Sequence, residues 1–208
     1  MRLAALFAEK LAFPIAFLTI NRGLPLPKHM FRVSRDNPAY FLTSVTHHRL
    51  PVFQTDKLKE IVCNAFSEAR ISGRMMIFAY AIMPDHHHVL TDGSKPIKDV
   101  LRFLNGITAR RVIDYLKENN YQESLSKLRI AERRDEQKYS LYQHHPNALR
   151  ITSEDAFMQK VSYIHLNPVR DALVEHPDEY FFSSARLWHR RALDREPLLT
   201  DHDQIHWR

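Results

Sequence analysis

Two strand-like runs meet at a tight corner in the middle of the chain. Ile77-Phe78-Ala79-Tyr80-Ala81-Ile82 lies inside an apolar stretch from Met75 to Met83 and reads as a strand. Pro84-Asp85 reads as a turn or bulge, and His86 to Thr91 as the next strand. Successive side chains alternate across a strand. His86 and His88 therefore share one face, and His87 points to the other. The histidine triplet admits three readings: a solvated polar cluster, a structural metal site or a catalytic metal site. The strand context raises the metal readings, because two imidazoles on one face can meet one ion. Two histidines are an incomplete site, so at least one more protein ligand is expected.

Around this corner the pattern is mixed. Tyr40 to Thr46 is aromatic and β-branched and reads as a first strand. Leu58, Ile61, Val62, Ala65, Phe66 and Ala69 recur at helical spacing within Thr55 to Arg70, and Ser72-Gly73 ends that helix. Asp92-Gly93-Ser94 is a turn signal, and a long amphipathic helix follows over Ile97 to Glu118. Asn119 to Lys138 is polar and reads as a loop with a partial helix outside the core. Leu141 to Ile151 reads as a loop or short strand. Thr152 or Ser153 caps a last helix with Glu154 and Asp155 in its first turn. Pro168 disfavours helical geometry in its predecessor, so that helix is expected to end at Asn167. The order β-α-β-β-α plus a further helix predicts an α+β fold: a ferredoxin-like antiparallel sheet with helices packed on one face.

Composition narrows the function. Only 4 glycines occur among 208 residues, and neither a Walker-type loop nor a dinucleotide fingerprint is present. One cysteine, Cys63, excludes an intramolecular disulfide framework and a cysteine-rich zinc site. A formal charge of +6 weakly favours a polyanionic partner. The apolar run Leu11 to Ile20 is too short to span a bilayer, and Glu9 and Pro14 argue against a signal peptide. Residues 1–30 are therefore expected to be an N-terminal extension, with Met30 as an alternative start. The expected location is the cytoplasm, with no membrane partner.

A second chemical constellation lies in Val161-Ser162-Tyr163-Ile164-His165-Leu166-Asn167-Pro168-Val169-Arg170. Phe157, Val161 and Ile164 form one helical stripe, while Tyr163 and Asn167, four apart, are neighbours on another face. Lys160 borders them. The plain alternative is a tyrosine at the core margin, an asparagine at the helix end and a solvated lysine.

Taken together, the strand-turn-His-His-His run and the Tyr-Ile-His-Leu-Asn-Pro-Val-Arg run resemble the single-tyrosine HUH transposases, and especially the REP-associated tyrosine transposases. Thr43 to Phe53, Ala81 to His86, Tyr163 to Arg170, Leu173-Val174, Pro177 to Tyr180 and Ser183-Ser184 carry the resemblance in order, over roughly 41–188. It implies a HUH endonuclease domain over 31–190, followed by a tail over 191–208. It implies His86 and His88 as metal ligands, Asn167 as the third ligand, and Tyr163 as the nucleophile. It also implies a metal-dependent, transposase-like endonuclease that cuts single-stranded DNA near hairpins through a 5′-phosphotyrosine link. The alternative is a domesticated protein that binds hairpins or single strands without cutting. Mn²⁺ suits two imidazoles and an amide better than Mg²⁺, which prefers oxygen ligands, but Mg²⁺ stays open. Lys160, Arg170, Arg110 and Arg111 are candidates for contact with DNA phosphates. A nucleoid setting follows, and monomer versus homodimer stays open. The chain departs from the pattern at His87, where a hydrophobic residue is usual, and at Asp171-Ala172-Leu173, where Ala-Gly-Leu is frequent. Tyr142-Gln143 likewise stands where Trp-Gln is frequent.

Overall fold

A computed structural model describes residues 30–130, 139–144 and 146–207. The expected N-terminal extension, apart from Met30, lies outside the described residues, as does 131–138 of the polar segment. Four strands form one antiparallel sheet: β1 (Ala39–Val45), β2 (Ile77–Ile82), β3 (His86–Asp92) and β4 (Asn147–Ile151), in the order β2-β3-β1-β4. This is the ferredoxin-like order expected from the sequence, with α1 (Asp56–Gly73) crossing between β1 and β2.

Local chemistry sets each element. The Thr55 hydroxyl accepts from the Leu58 amide at 3.4 Å, capping α1. The hairpin joining β2 and β3 turns on Pro84 and Asp85, with the Met83 amide donating to the His86 carbonyl at 2.8 Å. The expected long helix is α2 (Ile97–Leu101) and α3 (Ile107–Glu118), joined by a π turn over Arg102–Gly106. That turn carries Asn105, whose side-chain oxygen accepts from the Ser44 hydroxyl at 2.9 Å. Short α4 (Gln122–Lys127) follows, and there the structure corrects the sequence reading. Leu125 and Leu128 are buried in the core, because two leucines on an otherwise polar segment suffice to seat it against α3.

α1 and α3 pack together on one face, as expected, over Leu42, Tyr80, Ile82 and Val89. A further layer lies on the opposite face. There Phe157, Val161 and Ile164 of α5 (Glu154–Arg170) pack on Phe41, Ala79, Ala81 and Leu90. Small alanines on β2 leave room for α5 to approach, which alternation alone does not reveal.

α5 starts at Ser153, whose hydroxyl accepts from the Ala156 amide at 3.3 Å. It does not end at Asn167, as the proline predicted, but runs through Pro168 to Arg170. Pro168 lacks the N–H that would reach the Ile164 carbonyl. The Asn167 side-chain amide supplies a donor instead, at 2.6 Å to the Tyr163 carbonyl and 3.5 Å to that of Ile164. The helix closes with Ala172 at φ 54, a left-handed position where glycine is favoured.

Beyond α5 the chain returns along the free edge of β2. The Ile82 amide donates to Phe182 O at 3.0 Å, and the Ser184 amide to Tyr80 O at 3.0 Å. This pairing covers an edge that would otherwise be open to other strands. α6 (Ala185–Trp188) follows. The stretch after 190 does not behave as a tail: Leu198, Asp201 and Ile205 are buried. Asp201 pairs with Arg70, and Glu196 holds the buried Arg186 at 2.7 Å. No helix of the described residues is long and apolar enough to cross a membrane.

Candidate active site

The register of β3 decides what the three histidines do. His88 stands opposite Thr43 of β1 and Ala81 of β2, on the face covered by α5. His87 points the other way into the main core, against Phe66 at 4.9 Å between ring centroids, with Tyr142 Oη 3.2 Å from its Nδ1. Burial, with the neighbouring histidines adding to it, pushes the His87 pKa down to about 3, so it is a neutral core residue. Ser44, Asn105, His87 and Tyr142 form a polar group there that accommodates an imidazole where the resemblance expects a hydrophobic side chain.

His86 and His88 lie side by side, 4.8 Å between ring centroids. Each has its Nδ1 engaged. Asp85 Oδ1 lies 2.6 Å from that of His86, and Thr43 Oγ1 lies 2.8 Å from that of His88. Engaging Nδ1 leaves Nε2 as the available nitrogen on both rings. His88 Nε2 is buried and has no hydrogen-bond partner. Burial first, then the charge of His86, lower the His88 pKa to about 3, so the imidazole is neutral and can act as a ligand. Asp85 is in turn bonded by Arg49 at 2.7 Å. Burial works to protonate Asp85, but His86 and Arg49 outweigh it and hold the carboxyl below its usual range.

α5 brings the second half of the site. The Tyr163 ring meets that of His88 edge-on at 5.3 Å and that of Phe41 at 5.7 Å. Phe41 stacks on His88 at 5.5 Å. Lys160 Nζ lies 5.4 Å from the centre of the Tyr163 ring and Arg170 Cζ 5.1 Å from it. Two cations therefore flank the phenol, and these three residues with Gln159, Ser162 and Leu166 line a shallow open depression on α5. Asn167 is buried, and its amide group faces His88 closely enough to act toward raising that residue's proton affinity. With Nδ2 turned to backbone carbonyls, Oδ1 is the atom left to act as an acceptor or ligand.

The structure thus brings together His86, His88, Tyr163, Asn167, Lys160 and Arg170. It does not bring Arg110 and Arg111 to them: both lie on α3, across the sheet, where Arg111 pairs with Glu68 at 2.8 Å and Arg110 lies 4.0 Å from Asp114. Thr43, Asp85, Arg49 and Phe41 were not singled out from sequence as site residues. Thr43 and Phe41 reach the histidines only through strand pairing. Asp85 could have been found from its place directly before His86 in a turn. Among the described residues no group of three or more His, Cys, Asp or Glu side chains suits a metal ion. The orphaned His88 Nε2 fits a metal as its partner.

Fold and side chains define the class: an α+β protein that presents paired imidazoles on a strand beside a tyrosine on a packed helix. Residues 35–128 match the family model described as "Transposase IS200 like". Over that stretch, which holds β1 to α4 and with them His86 and His88, the chain is similar to the IS200-like transposases. Tyr163 and Asn167 fall outside the matched residues. Among solved structures, a REP-associated tyrosine transposase bound to a REP hairpin is similar at a TM-score of 0.54 and 16% identity, covering 79% of this chain and 87% of that one. This likeness supports the fold. A protein from Deinococcus radiodurans R1 described as a transposase is similar at a TM-score of 0.41 and 22% identity, covering 62% of this chain and 88% of that one. No argument rests on that value. No match was found among curated proteins.

Proposed function

We propose that this protein is a metal-dependent endonuclease and transesterase for single-stranded DNA, cutting near a hairpin through a tyrosine–DNA link. The observation that carries the reading is the ring contact, 5.3 Å between centroids, that sets Tyr163 beside His88 and its unpartnered Nε2. His86, His88 and the Oδ1 of Asn167 would hold a divalent ion, Mn²⁺ or Mg²⁺. When bound, such an ion polarises the scissile phosphate and steadies the charge that develops on it.

The chain's own groups account for the remainder. Lys160 and Arg170, both close to the Tyr163 ring, attract a DNA phosphate to the phenol. Their charge also offsets the negative charge that gathers around the phosphorus as the phenol oxygen attacks. Tyr163 Oη then bonds to phosphorus as the bond from phosphorus to the 3′ oxygen breaks. The phenol proton passes to solvent, and the departing 3′ oxygen takes one up to become a free hydroxyl. A 5′-phosphotyrosine remains. The contact between His88 and Tyr163 within one chain supports action in cis, so the site does not require a homodimer. Hairpin recognition is proposed by analogy with the REP-hairpin complex. The working setting is nucleoid DNA in the cytoplasm, and the endonuclease domain is taken as 31–190 with the packed stretch that follows.

Labelled hairpin-bearing single strands incubated with the protein and Mn²⁺ or Mg²⁺ should give a protein–DNA adduct that survives denaturation. Tyr163→Phe should abolish the adduct and leave binding largely intact, and chelation should abolish it in the native chain. An adduct that persists in Tyr163→Phe refutes the assignment. Tight binding without any adduct points to the non-cutting alternative.

A further inference from the structure

We propose that Asp85 is a positioning residue that fixes His86 for metal capture, and that Arg49 is the latch on Asp85. The inference rests on the reading of His86 and His88 as metal ligands.

The two imidazoles are held differently. His88 is oriented by a neutral hydroxyl, Thr43 Oγ1, across the strand pair. His86 is oriented by a carboxylate, Asp85 Oδ1, at 2.6 Å. A carboxylate on Nδ1 fixes the tautomer and makes the other nitrogen a stronger donor to a metal. Asp85 also sits at a corner that cannot easily move. Its carbonyl accepts from the Thr46 amide at 2.9 Å and the Thr46 hydroxyl at 2.8 Å, while the Pro84 carbonyl accepts from the Phe53 amide at 2.8 Å.

The turn that delivers Arg49 is strained. His48 and Arg49 stand at φ 51 and φ 55, two successive side-chain-bearing residues in the left-handed region. Such positions are unfavourable and persist where the surroundings impose them. Here the Thr46 hydroxyl, shared between the Leu50 and Asp85 carbonyls, ties the turn to the corner. The product of that strain is the Arg49 guanidinium 2.7 Å from Asp85 Oδ2. Arg49 itself is largely exposed, with 65% of its side-chain surface accessible, so the pair adds little to the fold. Its effect falls on the carboxylate: with Oδ2 held by Arg49, Oδ1 is kept from rotating off His86.

Mn²⁺ titration of the DNA-free full chain, followed by the electron spin resonance of the free ion, tests this directly. Asp85→Ala should bind Mn²⁺ about 10- to 100-fold more weakly than the native chain. Asp85→Asn, which keeps an acceptor for Nδ1, should fall between the two. Arg49→Ala should lose up to about fivefold, the scale of an exposed ion pair. In the adduct assay, raising Mn²⁺ should restore Asp85→Ala and fail to restore His86→Ala. Native affinity in Asp85→Ala overturns the proposal and leaves the metal reading intact. If Asp85→Ala does not fold, native affinity in Asp85→Asn overturns it. A native chain that binds no Mn²⁺ overturns the metal reading together with this inference.

Discussion

Asn167 completes the end of α5 and is the proposed third metal ligand, and replacing it with aspartate separates the two. As a ligand, an aspartate oxygen could serve at least as well as an amide oxygen. As a structural group it could not. The Asn167 amide nitrogen donates to the Tyr163 carbonyl at 2.6 Å and weakly to the Ile164 carbonyl at 3.5 Å, the acceptor that Pro168 leaves without its usual donor. Asn167→Asp removes both donors and turns a carboxylate oxygen toward a carbonyl in a buried place. Leaving buried acceptors unsatisfied costs about 1–3 kcal/mol, and the facing oxygens place this case in the upper half of that range. For a chain of this size that corresponds to a fall in melting temperature of roughly 4–12 °C. The introduced carboxyl is better tolerated when protonated, since it can then donate, so its folded-state pKa is raised. A raised acid pKa means the penalty grows as pH rises above the unfolded value and shrinks as pH falls toward it. Thermal unfolding of metal-free protein in chelator, at pH 7.5 and pH 5, measures both effects. Equal stability of variant and native chain at pH 7.5 would refute the claim that the amide completes the helix end.

Two further outcomes are expected. Ala172→Gly should stabilise the protein by about 0.5–1 kcal/mol in urea unfolding, because φ 54 is costly for alanine and free for glycine; no gain would show that the turn tolerates alanine without strain. Stability of the metal-free chain should also fall as pH drops below about 6.5, the ordinary histidine value, because His87, His88 and His165 are buried with pKa values pushed down to about 3. The unfolded chain binds protons there that the folded chain refuses. The three together remove roughly 4 kcal/mol by pH 5.5, at about 1.4 kcal/mol per pH unit each, and His165→Gln should remove about a third of that slope. A urea midpoint unchanged between pH 7.5 and pH 5.5 would contradict it.

Much of this protein is local and therefore legible in the chain. Alternation placed His86 and His88 on one face and His87 on the other, and the strand pairing agrees. Caps at Thr55 and Ser153, the Pro84-Asp85 corner and the helical spacing of α1 and α5 all act over a few residues. Tyr163 and Asn167 are neighbours for the same reason, being one helical turn apart. Where local reasoning failed, a distant group had intervened. Pro168 does not stop α5, because a side chain supplies the missing donor and packing on the sheet holds the turn. Leu125 and Leu128 enter the core because the layer beneath them exists only after folding.

The inventory is readable from the chain alone: two imidazoles on one face, a tyrosine and an amide on one helix, and an α+β order of elements. Tertiary structure decided which of them meet. Thr43 and His88 are 45 residues apart in sequence and bond at 2.8 Å only because β1 pairs with β3 in one register. Tyr163 reaches His88 only because α5 lies on the face away from α1 and α3, over alanines small enough to admit it. The same choice of face leaves Arg110 and Arg111 across the sheet. Spacing along a chain fixes which side chains share a face, whereas contact between elements depends on layer, register and side-chain volume, which appear only when the elements pack.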